Sequence, residues 1–435
     1  MWTYQKAEEY ILDIPKFAGK HTLEDTGKLL WQLTGGTSKS KVIHIAGTNG
    51  KGSVCAYLRS VLMASGCSVG MFTSPHLEVM RERICLGKEM ISEEEFLSAF
   101  IKVKAIVEEE MPESHPSFFE YLFLMAMVYF KEKEPDYIIL ETGLGGRLDA
   151  TNCIDKPEVC VITEIGYDHM QYLGETLEAI AGEKAGIIKP GVPVVFFDKR
   201  PSVTEILEKF AKKAGSRAIR IGKDSILDAN INNKNIDFSL HTGYYNYDSL
   251  FLNTTAVYQM ENASLAVAAA EVLSIADGRI SKESIREGLA TAGWPGRMEE
   301  ALPGVYLDGA HNVDGIEAFL KTAELMPCKG RKLFLFGVVS DKQYETMIEM
   351  IARANIFDQA AVTVLESDRS ASLDKLKEIW RQYEQLPCIF FEDAKEAYRY
   401  LISVKREEDI VYIAGSLYLI GQIKTLVRRT PDDRF

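Results

Sequence analysis

The sequence predicts two α/β domains in series: an N-terminal P-loop, mononucleotide-binding α/β domain over residues 1–294 and a smaller C-terminal α/β domain over residues 298–435. Three observations predict this. Short, continuous apolar runs alternate with helical periodicity along most of the chain, the pattern of strands buried on both faces of a parallel sheet. A Gly-rich loop containing a lysine, Gly47-Thr48-Asn49-Gly50-Lys51-Gly52-Ser53, stands between one such run and a helix. The stretch Gly293-Trp294-Pro295-Gly296-Arg297 then interrupts the series with two glycines and a proline, the composition of a domain boundary.

Taken in order, Lys41 to Ala46 reads as the first buried strand, Lys51 to Ser65 as a helix with apolar residues at 54, 58, 61 and 62, and Ser68 to Phe72 as a second strand. Together they form one βαβ unit. Ser92…Glu95 and Ser117…Glu120 are capping boxes that open two helices. Tyr137–Leu140, Val159–Ile162 and Val192–Phe197 repeat the buried-strand pattern. Between Ile219 and Val257 the texture turns to polar alternation rich in Asn and Tyr, and predicts a small antiparallel excursion. Helical periodicity resumes over Glu261 to Leu273. Beyond the boundary, strands are expected at Val305–Leu307, Lys332–Val339, Ala360–Leu365, Ile389–Phe391 and Ile410–Ala414, each followed by a helix. No internal repeat interrupts either series.

Composition narrows the function. The chain has 435 residues, enough for two or three domains and for cores that need no disulfide or metal staple. Lys and Arg total 50 against 63 Asp and Glu, a formal charge of −13. Such a surface has no general attraction for phosphate backbones or anionic lipids, so neither nucleic acid nor membrane is an expected partner. The longest apolar run, Tyr121–Phe130, is half of the ~20 residues that span a bilayer. The N-terminus has no apolar h-region of a secretory signal. The seven cysteines are odd in number, contain no C-x-x-C pair and lie mostly among apolar neighbours, which predicts a reducing, cytoplasmic setting.

The loop at Gly47 carries the first chemistry. Glycines let backbone N–H groups approach an anion, the new helix points its positive end at the same place, and Lys51 adds a mobile charge for the β- and γ-phosphates. Thr48, Asn49, Gly50, Lys51, Gly52 and Ser53 are therefore the candidate nucleotide-binding residues. A tight turn with a solvated lysine is the bland alternative, but chance seldom supplies both flanking elements. The loop departs from G-x-x-x-x-G-K-[ST] in its shorter spacing and in Gly52, which follows the lysine where a metal-gripping hydroxyl is usual. A metal ligand is then to be sought elsewhere, with Thr73-Ser74 after the next strand as the first place to look.

With that loop, Ser74-Pro75-His76-Leu77 and the twelve-residue run from Glu141 to Asn152, the sequence resembles the folylpolyglutamate synthases and the related bacterial dihydrofolate synthases of the Mur ligase superfamily. The resemblance continues through Asp168-His169, Glu183 to Lys189, Pro295-Gly296-Arg297, Asp308 to Asn312 and Ala414 to Tyr418, nearly the whole chain. It implies an ATP-dependent acid–amino-acid ligase: L-glutamate is joined to the carboxylate of a folate, or of dihydropteroate, with Mg²⁺ at two sites. It also implies a Rossmann-like second domain and a monomer.

Such a reaction activates a carboxylate as an acyl phosphate, which an amine then attacks. The protein must hold the γ-phosphate, neutralise its charge, place the acid in line and admit a neutral amine. Glu141 ends an apolar strand at the carboxyl edge of the sheet, where ligands of doubly wound folds sit, and with the Ser74 hydroxyl it offers the hard oxygen that Mg²⁺ prefers. The resemblance adds His169 as a third metal ligand, against the bland reading of a turn histidine. It implies a carbamylated Lys184, whose bland reading is a solvated helix face. Carbamylation would turn an ammonium that repels Mg²⁺ into an anionic oxygen donor. Asn262, Arg297 and Asp308 match family positions that contact ATP, with Arg297 placed to stabilise transferring charge. Asp308 and His311, at a strand end, are expected either to bind ribose or to orient the incoming amine. Ser416 and Tyr418 resemble residues near the glutamate site, and the loop Pro75–Arg83, with Arg83, resembles the family's folate-contacting loop.

Three rivals are weaker. A Mur-type peptidoglycan ligase usually has Thr after the P-loop lysine and a nucleotide-sugar domain before the loop. Here Gly52 follows Lys51, and the 46 residues ahead of Gly47 fall short of the about 50 that an ordinary domain needs. A P-loop NTPase switch does not account for the strand-end Asp, His, Ser and Tyr of the second domain. A dehydrogenase lacks its G-x-G-x-x-G, since Asp308-Gly309-Ala310-His311-Asn312 has one glycine.

Overall fold

The computed structural model describes residues 1–16, 19–36, 39–232 and 234–429, so residues 430–435 of the expected second domain lie outside the described residues. The chain divides into two compact units. One comprises Met1–Asp228, Phe238–Phe251 and Glu261–Ala292; the other comprises Ala229–Asp237, Leu252–Met260 and Gly293–Phe435.

The first unit is built on an eight-stranded sheet: β1 (Lys41–Ala46), β2 (Val69–Phe72), β3 (Ile84–Leu86), β4 (Glu89–Met90), β5 (Tyr137–Glu141), β6 (Val159–Ile162), β7 (Val194–Asp198) and β8 (Ala218–Gly222). Their spatial order is β4-β3-β2-β5-β1-β6-β7-β8. From β2 to β8 every pairing is parallel, and β3 and β4 add an antiparallel edge on β2. The strand order reverses between β1 and its two neighbours β5 and β6, the topological switch point at which such sheets bind ligands. The apolar runs fall where burial on both faces requires them: Ile43, Ile45, Ile139, Leu140, Val159 and Val161 are fully buried.

Both capping boxes form. Ser92 and Glu95 open the helix Glu93–Glu110, and Ser117 and Glu120 open Phe118–Lys133. All residues from Tyr121 to Phe130 are buried, and they form the centre of a core with Phe72, Ile84, Phe96 and Phe100. Truncating one such phenylalanine costs about 3–5 kcal/mol. The apolar run thus makes a core helix, and among the described residues no helix is long and apolar enough to cross a membrane.

The polar stretch from Ile219 divides differently from the expectation. Its first strand, β8, pairs in parallel with β7 and belongs to the large sheet. The excursion proper is the three-stranded sheet of β9 (Ile226–Ile231), β10 (Ile236–His241) and β11 (Asn246–Leu252), in the order β11-β10-β9. Alternate burial of Ile236, Phe238 and Leu240 explains the alternation, since one face is covered and the other exposed.

The second unit carries a six-stranded sheet of β12 (Glu299–Leu302), β13 (Val305–Leu307), β14 (Lys332–Phe336), β15 (Gln359–Thr363), β16 (Cys388–Phe391) and β17 (Ile410–Ala414), in the order β12-β13-β17-β14-β15-β16. All pairings are parallel except β12 with β13. Strand β12, with exposed Glu300 and Leu302 breaking the apolar pattern, has no counterpart in the sequence reading. All seven cysteines are free.

Candidate functional site

In the first unit the Gly-rich loop joins β1 to the helix Lys51–Ala64, which starts without a side-chain cap at Gly50. Gly50 has φ +88°, and a Cβ there would lie 2.2 Å from Asn262 Oδ1. Asn262, expected in the nucleotide site, is thus brought against the loop. The end of β6 holds the loop's other side. Thr48 N–H donates to the Glu164 carbonyl at 2.7 Å, and Thr163 Oγ1 donates to the Asn49 carbonyl at 2.6 Å. Lys51 Nζ donates to the Gly47 and Thr48 carbonyls at 3.1 and 3.2 Å, folded back over the loop.

Lys184 converges on the same place. It lies in the helix Leu177–Ala185 but is buried, which overturns the solvated-face alternative, and its Nζ donates to the Gly47 carbonyl at 2.7 Å. Burial, and then the charge of Lys51, push its ammonium down to about 7, while Asp168 and Asp149 pull the other way. A lysine in this state spends much of its time as a neutral amine at physiological pH, the form that reacts with electrophiles.

The loop after β5 holds that helix in place. Asp149 accepts from the N–H groups of Gly143, Leu144 and Thr151 and from the Thr151 hydroxyl, at 2.6–3.0 Å. Burial nevertheless pushes its carboxyl up. His44, fully buried in β1 and held neutral by burial, contacts Thr151 Oγ1 through Nε2 at 2.7 Å. Gly146 passes so near the helix that a Cβ would lie 2.8 Å from the Lys184 carbonyl. Arg147 N–H donates to the Glu183 carbonyl, and Asn152 Nδ2 bridges the Arg147 and Gly186 carbonyls. The run from Glu141 to Asn152 thereby positions Lys184 beside the Gly-rich loop.

Glu141 is the last residue of β5, 3% exposed, and registers with Ile45 of β1 just before the Gly-rich loop. Its Oε2 accepts from Ser74 N–H at 3.0 Å, so the two expected metal ligands are adjacent. His169 stands apart from this pair in burial. It is exposed, has φ +50° at the start of the helix Met170–Leu173, and lies 3.9 Å from Asp168. Among the described residues no three His, Cys, Asp or Glu side chains form a metal cage. One buried carboxylate beside a serine suits Mg²⁺, which retains waters and takes few protein ligands.

Arg83 ends the loop that follows Ser74. It is buried, donates through Nε to His76 Nδ1 at 2.9 Å, and stacks its guanidinium 5.2 Å from the Phe118 ring. Burial and Arg83 lower the His76 imidazole to about 4, so it is a neutral acceptor at physiological pH. Phe118 is a site neighbour that the sequence reading passed over, because an aromatic on a capped helix reads as core.

The second unit gathers the remaining candidates at the carboxyl ends of β13 and β17, paired neighbours with Leu307 opposite Ile413. Asp308 is buried and accepts from Tyr258 OH at 2.6 Å, from Met298 N–H at 3.0 Å and from Ala310 N–H at 2.9 Å. Burial pushes its carboxyl up and Arg297 opposes that. Arg297 covers Gly309, where a Cβ would lie 1.9 Å from its Nη1. His311 Nδ1 contacts the Gly309 carbonyl at 2.7 Å. Ser416 is buried and accepts from Tyr418 N–H, while the Tyr418 side chain is 45% exposed, ruling out simple packing for it. Tyr258 was missed: a single aromatic ahead of a helix carries no signal of its contact with Asp308.

Two family models match the chain: the Mur ligase middle domain over residues 45–270 and the Mur ligase glutamate ligase domain over residues 296–417. A dihydrofolate synthase/folylpolyglutamate synthase of Bacillus subtilis (strain 168) is 35% identical, covering 97% of this chain and 98% of that protein. The Escherichia coli (strain K12) protein of the same description is 30% identical over 89% of this chain and 86% of its own length. Among solved structures, E. coli FolC in complex with DHPP and ADP superposes with a TM-score of 0.87 at 27% identity, covering 99% of both chains. The Mycobacterium tuberculosis folylpolyglutamate synthase complexed with ADP gives 0.88 at 27% identity, again over 99% of both.

Proposed function

Since the chain belongs to the folylpolyglutamate synthase/dihydrofolate synthase family of the Mur ligase superfamily, and is an ATP-dependent glutamate ligase, we propose that it adds L-glutamate to tetrahydrofolate and its polyglutamates and also to dihydropteroate. The observation that carries the mechanism is the convergence of Lys51 and Lys184 on the Gly47 carbonyl, one strand away from the Glu141–Ser74 pair.

In this reading the first unit binds ATP and the pteridine-bearing acid, and the second binds glutamate. The N–H groups of residues 50–53 and Lys51 Nζ hold the β- and γ-phosphates, Thr48 and Asn49 shape the loop through their N–H bonds to the Glu164 carbonyl, and Asn262 borders it at Gly50. Glu141, Ser74 and His169 are the proposed metal ligands, at two positions. Bound there, Mg²⁺ supplies charge neutralisation for the transferring phosphoryl group. Lys184 is proposed to act as its carbamate; a buried amine lowered to about 7 supports this, because the neutral form is the nucleophile toward CO₂. Arg297 stabilises charge on the phosphoryl oxygens. Asp308, which accepts from three donors, binds ribose or, with His311, orients the amine, while Ser416 and Tyr418 hold the glutamate. The acid's oxygen attacks the γ-phosphorus and ADP leaves. The glutamate amine then attacks the acyl carbon, phosphate leaves, and the amine's proton passes to solvent or a nearby base. We also take the enzyme to be a cytoplasmic monomer, with seven free cysteines supporting the reducing setting.

The test is product analysis. With ATP, Mg²⁺ and glutamate, each acid should gain whole glutamyl residues by mass, with one ADP and one phosphate per residue. ATP hydrolysis that ignores both acids would overturn the reading, as would glutamate transfer confined to a nucleotide-sugar peptide.

A further inference from the structure

The loop between β2 and β3 is held by a group that no role so far assigns. Its ends are closed by Thr73 N–H donating to the Arg83 carbonyl at 3.0 Å. Inside it, three consecutive backbone N–H groups converge on one side chain: Leu77 on Glu82 Oε2 at 2.8 Å, and Glu78 and Val79 on Glu82 Oε1 at 2.9 and 2.8 Å. Successive N–H groups that point inward form a nest for an anion, and here the anion is a residue of the loop itself. An ionised carboxylate accepts all three bonds. A carboxamide has one acceptor oxygen and would turn an NH₂ toward a donor.

The clamp sits between two residues of the proposed site. Ahead of it, Ser74 N–H is bonded to Glu141; after it, Arg83 follows Glu82 directly and is fixed by His76 and Phe118. His76 belongs to the same loop, so the shape of residues 74–79 decides where the Arg83 partner stands. We propose that Glu82 is a positioning residue for recognition of the pteridine-bearing acid: its carboxylate holds the loop in the form that presents Arg83. This rests on the reading that the loop receives that acid.

The experiment compares the full-length wild type with Glu82→Gln and Glu82→Ala. Steady-state kinetics with tetrahydrofolate, ATP and glutamate should show KM for tetrahydrofolate raised about tenfold or more in Glu82→Ala and by an intermediate factor in Glu82→Gln. KM for ATP and the melting temperature of the ligand-free protein should stay near wild type. In parallel, the amides of Leu77, Glu78 and Val79 should exchange hydrogen about tenfold or more faster in Glu82→Ala. An unchanged KM for tetrahydrofolate would overturn the proposal, as would equal rises for ATP and tetrahydrofolate with a lowered melting temperature, which mark a scaffold role. Unchanged exchange at the three amides would refute the clamp itself. If the wild type glutamylated neither tetrahydrofolate nor dihydropteroate, the functional reading would fall, while the exchange rates would still decide whether Glu82 holds the loop.

Discussion

Replacing Lys184 with methionine should make the protein more stable and inactive at once. The wild-type side chain is buried and, among the described residues, has one hydrogen bond, to Gly47, and no carboxylate in hydrogen-bonding contact. Its fall from 10.5 to about 7 at 1.36 kcal/mol per pKa unit sets a ceiling of about 5 kcal/mol on the cost of keeping it charged in the fold. The unfolded chain binds the extra proton between about pH 7 and 10.5, so the penalty is complete below about 7 and fades as pH rises toward 10.5. Methionine keeps the volume, removes the charge and forfeits one hydrogen bond of about 1 kcal/mol. Allowing for relaxation around the site, the ligand-free Lys184→Met protein should gain about 1–3 kcal/mol near pH 6 and little near pH 10. Urea denaturation at the two pH values, in buffer stripped of CO₂, reads this directly. Turnover should fall about a hundredfold or more, because the replacement offers neither amine nor carbamate. A variant less stable than wild type near pH 6, with turnover retained, would refute the reasoning.

Other perturbations have separate readouts. Asp409 is buried, and although burial opposes it, the N–H groups of Arg331 and Arg406 and the Arg331 guanidinium at 2.7 Å hold its carboxyl down to about 2. Asp409→Asn should cost about 3 kcal/mol at neutral pH by urea denaturation. Its deficit should shrink as pH falls from 3.8 through about 2, because the wild-type contribution is present above the first value and lost through the second. Gly50→Ala places a Cβ 2.2 Å from Asn262 Oδ1 at φ +88°, so it should raise KM for ATP about tenfold while leaving KM for the acid within about twofold.

What the sequence makes legible is local or periodic. The capping boxes at Ser92 and Ser117 are readable because each closes within three residues. The Gly47–Ser53 loop is readable because its flanking strand and helix leave their own patterns. Burial of Lys184 is not, because its partner at Gly47 lies 137 residues away and nothing in the helix Leu177–Ala185 announces which face is covered. The same holds for Tyr258 and Asp308, 50 residues apart. The Glu82 clamp was within reach of the sequence, being closed within five residues, but a glutamate in a mixed-charge loop looks solvated until its three donors are seen. Strand β8 was assigned to the polar excursion because as an edge strand it alternates exposed and buried residues, as an antiparallel strand would.

In the proposed function Glu141 is the carboxylate that holds magnesium beside the Gly-rich loop. Steady-state glutamylation of tetrahydrofolate by Glu141→Ala, titrated with Mg²⁺, tests this most directly. The predicted result is turnover reduced about a hundredfold or more at limiting Mg²⁺, with half-saturation moved to higher metal concentration. Wild-type turnover at limiting Mg²⁺ would contradict it.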